Sequence, residues 1–278
     1  MPKFAANLHY LFTELNFLDR FEAAAKAGFK AVEFQVPYDY PLAELKARLR
    51  INGLEMVLFD APMGDWARGD RGLAAVPGRE IEFRDSLPVV TKYASALGCE
   101  TVHLMAGVIG PDQDYEMAER TYLANLRHAA AVLEMHGITA VIEPINKKMG
   151  IVQNGPSYTT QGMHGYFLNH TVHARRILDE VNSANLLLHL DFYHMQMLEG
   201  HLAETIRDNI SVLRHAQIAG VPGRHEPTVG EIYYPYLFDL LDELGYAGWI
   251  GCEYRPLADT WVGLKWAANY GISGRAGA

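Results

Sequence analysis

Four apolar runs in the second half of the chain each carry an oxygen-bearing side chain at or near their end. These side chains are Glu143, Asp191, Gln217 and Glu253. Two glutamates, one aspartate and one amide carbonyl make a ligand set of hard oxygens, which suits Mg²⁺ or Mn²⁺ better than a metal that prefers thiolates. Three carboxylates that lie together repel one another unless a cation lies between them. If the four run ends meet in the fold, we expect them to hold one divalent metal ion.

The elements that would position these residues alternate along the whole chain between short apolar runs and longer segments with helical periodicity. We predict strands over residues 4–8, 31–34, 54–59, 101–105, 138–142, 186–190, 212–218 and 249–252. We predict helices over residues 17–27, 41–51, 80–97, 115–136, 172–181, 202–209, 236–244 and 262–269. Strict alternation makes the strands parallel, because each helix returns the chain to the same edge.

Eight strand–helix units predict an α/β fold of the (β/α)8 type, the TIM barrel, as one domain over residues 1–278. The alternative is an open sheet with fewer strands. In a barrel the carboxyl ends of all strands share one rim, which would bring the four side chains together. Two long connections, residues 61–78 and 146–169, follow strands and would lie on the same rim, so we predict that they are lids or binding loops.

Composition and charge narrow the class of protein. The net charge of −9 disfavours a nucleic-acid partner, because such proteins usually present a basic surface to phosphates. Neither a secretory signal nor an apolar run of about 18 residues is evident, so we expect a cytoplasmic protein without membrane spans. Cys99 and Cys252 lie far apart and are expected to be buried free thiols. No G-x-G-x-x-G or P-loop pattern follows a strand, which disfavours dinucleotide and nucleoside-triphosphate binding.

Several segments resemble the hydroxypyruvate isomerase family almost from end to end. In chain order they are ANLHYLF (6–12), VEFQVPYDY (32–40), GDWARGDRGLAAVPGRE (64–80), IEPIN (142–146), DFYHMQMLEG (191–200), HAQIAGVPGRHEP (215–227), VGEIYYPYLF (229–238) and GWIGCEYRP (248–256). That family belongs to the xylose isomerase-like TIM barrels, which also include ketose 3-epimerases and the endonuclease IV type of DNA-repair enzyme. The resemblance implies a metal site at Glu143, Asp191, Gln217 and Glu253. It further implies that Glu143 and Glu253 exchange protons with the substrate.

Further residues are candidates for substrate binding. The resemblance implies that His194 contacts a substrate oxygen and that Arg224 faces the substrate, where a guanidinium could grip a carboxylate with two parallel hydrogen bonds. Each has a plain structural alternative: His194 could be a hydrogen-bonded histidine without a function, and Arg224 a solvated loop residue. His103, late in the fourth predicted strand, and Glu33, in the second, could line the mouth of the barrel.

The activity that the resemblance implies is an aldose–ketose type isomerisation of a small oxo or hydroxy acid through an enediolate. We expect hydroxypyruvate to be converted to tartronate semialdehyde (2-hydroxy-3-oxopropanoate). The family also contains 2-oxo-tetronate isomerases, which share the metal residues, so the motifs leave both substrates open. An endonuclease IV-like enzyme is a distant alternative, since Gln217 stands where a zinc cluster would want a histidine. A barrel that binds a sugar acid without turning it over is another. Relatives often pair, so a homo-oligomer is possible.

Overall fold

The computed structural model describes residues 1–110, 112–147 and 163–274. Across these residues eight parallel strands pair in chain order, and the first strand also pairs with the last, which closes a barrel. The strands are β1 (Lys3–Asn7), β2 (Ala31–Glu33), β3 (Glu55–Asp60), β4 (Thr101–His103), β5 (Thr139–Ile142), β6 (Leu186–Asp191), β7 (Leu213–Ile218) and β8 (Trp249–Cys252). The predicted TIM barrel is therefore confirmed, and the open-sheet alternative is wrong.

Helices surround the barrel. In the described ranges they are α1 (Arg20–Ala27), α2 (Leu42–Asn52), α3 (Glu80–Leu97), α4 (Tyr115–Glu134), α5 (Thr171–Val181), α6 (Phe192–Leu198), α7 (Leu202–Asn209), α8 (Tyr234–Glu243) and α9 (Thr260–Gly263). Each long helix buries one face, as α4 does with Leu126, Ala129, Ala130 and Leu133. None of these helices is long and apolar enough to span a bilayer.

The structure differs from the sequence prediction most clearly at three elements. Strand β4 ends at His103 rather than at residue 105. Helix α6 follows β6 directly and was not predicted, because a segment of seven residues is too short for a helical period to be recognised. The predicted helix over 262–269 is instead the single turn α9 followed by a 3-10 helix, Leu264–Tyr270.

The connection over residues 61–78 is packed rather than extended. It contains a 3-10 turn, Trp66–Arg68, whose backbone N–H groups are capped by the carboxylate of Asp65. Backbone hydrogen bonds join it to the segment after β4, for example from the Ala75 N–H to the Ala106 carbonyl at 2.7 Å. These contacts hold Met63 and Trp66 against the mouth of the barrel. The predicted lid over 146–169 lies largely outside the described residues, which resume at residue 163.

Gly28, at the end of α1, packs against Gly271 near the end of the described chain. It terminates α1 with φ 103°, and a Cβ at this position would overlap the carbonyl oxygen of Gly271. Gly53 terminates α2 with φ 62°, but a Cβ there would meet no atom within 4 Å. The two glycines therefore share a positive φ and differ in the space around them.

We expect Gly53→Ala to lower the free energy of unfolding by about 1 kcal/mol through left-handed strain, and Gly28→Ala to lower it by roughly 3 kcal/mol or more through added steric overlap. Denaturant unfolding followed by circular dichroism measures both values. Equal losses in the two variants would contradict close packing between Gly28 and Gly271.

Candidate active site

A cavity lies at the carboxyl ends of the strands. It holds about 650 Å³ of empty space, counting the solvent at its mouth. Its polar wall includes Glu33, Asp60, His103, Glu143, His189, His194, Gln217, Arg224 and Glu253. Its apolar wall includes Phe34, Met63, Trp66, Met105, Ile145 and Met163. The rim on which the sequence analysis placed the site is therefore a real concave surface.

Strand register explains why the predicted metal residues share this cavity. Asp191, the last residue of β6, pairs in register with Gln217 of β7, and Gln217 pairs with Gly251 of β8. Glu253 stands two residues beyond Gly251, and side chains two apart on an extended chain point the same way. Glu143 directly follows β5 and is buried. Glu143, Gln217 and Glu253 line the cavity, and the fully buried Asp191 joins them through Arg224.

Arg224 forms hydrogen bonds with two of the carboxyl groups. Its Nη2 atom lies 3.0 Å from Asp191 Oδ2 and 2.6 Å from Glu253 Oε2, and the side chain is buried. Charge-assisted hydrogen bonds of this length are strong in a buried setting. The arginine is thus not a solvated loop residue. It lies in the cavity and is held by two residues of the predicted metal site.

Glu143 is the carboxylate with the least local compensation. Its Oε2 atom lies 3.7 Å from His103 Nδ1 and 3.6 Å from His189 Nδ1, beyond hydrogen-bond distance. Among the described residues its Oε1 atom has no hydrogen-bond partner. Burial raises the pKa of Glu143 well above its usual value, and the negative charges of Asp191 and Glu253 raise it further. A buried carboxylate in this state favours a proton or a cation as its partner.

The buried Oε1 atom of Glu143, which has no hydrogen-bond partner among the described residues, is a potential ligand for a metal ion. Two groups of buried side chains around Glu143 bring potential ligand atoms within 4.8 Å of one another: His103 and His189 in one, Asp191 and His194 in the other. This buried cluster of histidine and carboxylate groups is compatible with a metal site. The carboxylate and amide oxygens from β5 to β8 supply the hard donors that Mg²⁺ or Mn²⁺ would take.

Glu253 is the second carboxylate with a raised pKa. Burial raises the pKa of Glu253 to about 8, against the opposing charge of Arg224 and with the support of Asp191. Its other oxygen, Oε1, accepts a hydrogen bond of 2.6 Å from Gln35 Nε2. Gln35 in turn contacts the ring of His9, whose pKa burial lowers to about 4. The Glu253 carboxyl is therefore oriented from both sides, by Arg224 and by Gln35.

The two predicted substrate-binding histidines are buried in the cavity wall. His103 Nδ1 lies 3.0 Å from Asp60 Oδ1. Asn146 donates from Nδ2 to His194 Nδ1 at 2.6 Å, which leaves His194 Nε2 to face Asp191 Oδ2 at 3.5 Å. Burial lowers the pKa of His194 well below its usual value, so the ring is neutral at pH 7. Both rings are therefore held in one orientation by a neighbouring side chain.

Several residues that line the cavity or contact its wall were missed by the sequence analysis. His189 stands two positions before Asp191, so the alternation along β6 could have placed it on the same face. Asp60 ends β3 but fell one residue beyond the predicted strand. Gln35 and Asn146 lie in loops after β2 and β5, where no periodic pattern marks the direction of a side chain.

Comparisons with known proteins agree with this geometry. The family described as Xylose isomerase-like TIM barrel matches residues 21–270. A 2-oxo-tetronate isomerase from Cupriavidus necator is 50% identical over 270 residues, covering 97% of this chain and 99% of that protein. A hydroxypyruvate isomerase from Escherichia coli is 43% identical over 270 residues, covering 97% of this chain and all of that protein.

Solved structures show the same barrel. A structure described as AP endonuclease, family 2, from Brucella melitensis has a TM-score of 0.90 and 44% identity, and the match covers 97% of this chain and 99% of that one. A 3-keto-D-glucoside 4-epimerase from Escherichia coli has a TM-score of 0.77 at 20% identity, with 97% of this chain and all of that one covered. The second likeness extends to the fold alone.

We expect Mn²⁺ to raise the melting temperature of the metal-depleted protein, because a ligand that binds only the folded state stabilises it by about 2.7 kcal/mol at 100 times its dissociation constant, roughly 5–10 °C here. Asp191→Asn should abolish this shift, and the exposed control Asp208→Asn should retain it. The shift should grow as pH rises from 6 to 9, since the Glu253 carboxyl, with a pKa of about 8, must lose its proton to bind a cation. Thermal scans with and without Mn²⁺ measure it, and an unchanged shift in Asp191→Asn would contradict the ligand assignment.

Proposed function

This chain belongs to the hydroxypyruvate isomerase and 2-oxo-tetronate isomerase family of xylose isomerase-like TIM barrels, and from that premise we propose that its own substrate is 2-oxo-tetronate. It is an isomerase of the type that its relatives represent. The observation that carries the choice of substrate is the 50% identity to a 2-oxo-tetronate isomerase over almost the entire chain. Two further relatives of that name, at 42% identity, support it. The expectation of hydroxypyruvate becomes the second candidate, favoured by the 43% identical relative.

Both substrates require the same proton movements. Each is a 2-oxo acid with a hydroxyl group on C3, and isomerisation moves the carbonyl from C2 to C3. A base removes the proton from C3, an enediolate forms across C2 and C3, and an acid returns a proton to C2. The proton of the C3 hydroxyl group passes to the oxygen on C2, which leaves the carbonyl at C3. The four-carbon acid differs only by a hydroxymethyl group on C3. One site can therefore serve either substrate, and the space around C3 decides between them.

Glu143 and Glu253 are the two proton-transfer groups of the proposed reaction. Glu143 follows β5 and Glu253 follows β8, and both side chains line one cavity. Burial and the negative charges of neighbouring carboxylates raise the pKa of each of them. The carboxylate form of a glutamate can accept a proton from a carbon atom, and its protonated form can return one. In the catalytic cycle one removes the C3 proton while the other supplies the C2 proton.

The residues that would hold the metal are Glu143, Asp191, Gln217 and Glu253. A divalent ion bound there would polarise the substrate carbonyl and lower the energy of the enediolate. Mg²⁺ and Mn²⁺ are the candidates, because the proposed donors are oxygens. The orphaned Oε1 atom of Glu143 supports this assignment.

The remaining cavity residues orient the substrate. Arg224 offers a guanidinium that can pair with the substrate carboxylate once it releases Asp191 or Glu253. His194, which Asn146 holds as the neutral ring, presents its Nε2 atom to a substrate oxygen. His103, which Asp60 orients, lies beside Glu143 and can contact the oxygen on the other carbon. Trp66 and Met63 of the packed loop cover the apolar side of the cavity and limit the entry of water.

A substrate panel with added Mn²⁺ or Mg²⁺ tests the choice. We expect kcat/KM for 2-oxo-tetronate to exceed that for hydroxypyruvate by about tenfold or more, because one additional small group in a fitted pocket is typically worth 10- to 200-fold. Proton NMR measures the rates of both reactions. A separate cleavage assay with an abasic DNA duplex tests for nuclease activity. A preference for hydroxypyruvate would select the second candidate, and turnover of neither acid would reject both.

We expect Glu143→Gln and Glu253→Gln each to lower kcat by at least about 100-fold, since an amide cannot exchange the proton. Glu226→Gln is the matched control, because Glu226 is a buried carboxylate outside the cavity wall. Proton NMR in D₂O separates the two roles. The variant that still exchanges the C3 hydrogen without forming product has lost the acid, and the variant that does neither has lost the base. Activity like that of the unaltered protein in either variant would overturn the roles.

A further inference from the structure

Glu33 is a buried carboxylate that crosses the inside of the barrel. It ends β2, its exposed fraction is 1%, and it is the residue in register with Asn7 of β1. Its Oε1 atom accepts hydrogen bonds from Asn7 Nδ2 at 3.0 Å and from Gln217 Nε2 at 2.7 Å. Its Oε2 atom lies 2.6 Å from His215 Nε2. Glu33 thus joins β2 to β7 across the two strands between them.

Gly251 provides the space for this crossing. It lies in β8, in register with Gln217 on one side and with Ala5 of β1 on the other. A Cβ at position 251 would overlap the carboxyl group of Glu33. No positive φ requires a glycine at this position, so the reason for it is the room that it leaves.

In the contact between Glu33 and Gln217 the amide donates and the carboxylate accepts. A side-chain amide has a donating end and an accepting end of nearly the same shape, and the two can exchange by a flip. Only the carbonyl oxygen can bind a cation, because the amide NH₂ directs its hydrogens outward. The carboxylate of Glu33, which receives N–H groups from Asn7 and Gln217, is an acceptor. It therefore selects the orientation in which Nε2 faces Glu33.

We propose that Glu33 is a positioning residue that holds the amide of Gln217 with its carbonyl oxygen toward the metal. This inference rests on the proposed metal site, in which Gln217 is a ligand. It also explains a feature of the ligand set: a glutamate at position 217 would place its charge against Glu33, whereas an amide forms a hydrogen bond with it. Substitution of a residue that orients a metal ligand in this way typically lowers metal affinity by about 10- to 100-fold.

The test is a double-mutant cycle read by calorimetric titration of metal-depleted protein with Mn²⁺. In the unaltered background Glu33→Gln should weaken Mn²⁺ binding by about tenfold or more, because Gln217 can then flip. In the Gln217→Glu background the same substitution should strengthen binding or leave it unchanged, since a carboxylate has an oxygen at both ends and loses a repulsive neighbour. Glu226→Gln, which alters a buried carboxylate outside the cavity, should bind Mn²⁺ like the unaltered protein.

Gly251→Ala gives a second route that keeps every polar group. Its methyl group should displace the Glu33 carboxyl and weaken Mn²⁺ binding when residue 217 is glutamine, but not when it is glutamate. This variant keeps the proposal testable if Glu33→Gln does not fold.

Three results would overturn the proposal. Equal weakening by Glu33→Gln in both backgrounds would make Glu33 a structural residue only. Unchanged binding in Glu33→Gln would remove the orienting role while leaving the metal site intact. Absence of Mn²⁺ and Mg²⁺ binding by the unaltered protein would overturn the metal site and this inference with it.

Discussion

Repulsion among buried carboxylates is the constraint around which the carboxyl rim of this barrel is arranged. Asp191 and Glu253 share the guanidinium of Arg224, with contacts of 3.0 and 2.6 Å. Glu143 lacks such a partner, and its pKa is raised well above the usual value because it is buried beside both. The site therefore has an excess of negative charge, which either a bound proton or a bound cation can compensate.

The surrounding polar groups limit the ways in which this charge can be relieved. Gln35 fixes one oxygen of Glu253, Asn146 fixes the ring of His194, and Asp60 fixes the ring of His103. Each of these contacts removes a freedom that the reaction would otherwise have to restrict when the substrate binds. The barrel makes this possible, because its strands are paired on both sides and hold the side chains at a set spacing. The packed loop with Trp66 adds an apolar cover over the same rim.

Relatives of the two activities share this fold at 42–50% identity, and the common chemistry explains why. The proton leaves C3 and returns to C2 in both substrates, so the two glutamates of the proposed reaction would serve either one. The two acids differ only in the group on C3, so in the proposed reaction the space around C3 would decide between them.

The sequence by itself determined the barrel and the four strand-terminal residues, because both follow from local patterns. Alternating apolar runs and helical segments specify parallel strands, and parallel strands in a closed barrel bring all four of these side chains to one rim. The same alternation could have placed His189, two residues before Asp191, on the inner face. The resemblance of the motifs then indicated that Arg224 belongs to this site.

Only the tertiary structure decided which side chains compensate one another. Glu33 and Gln217 are 184 positions apart. They meet because closure of the barrel leaves only β8 and β1 between β7 and β2, and because Gly251 leaves room between them. Arg224 reaches Asp191 and Glu253 from a loop, where no period predicts the direction of a side chain. Local propensity sets the elements and their order, whereas hydrogen bonds between distant strands depend on register and on space that the complete fold creates.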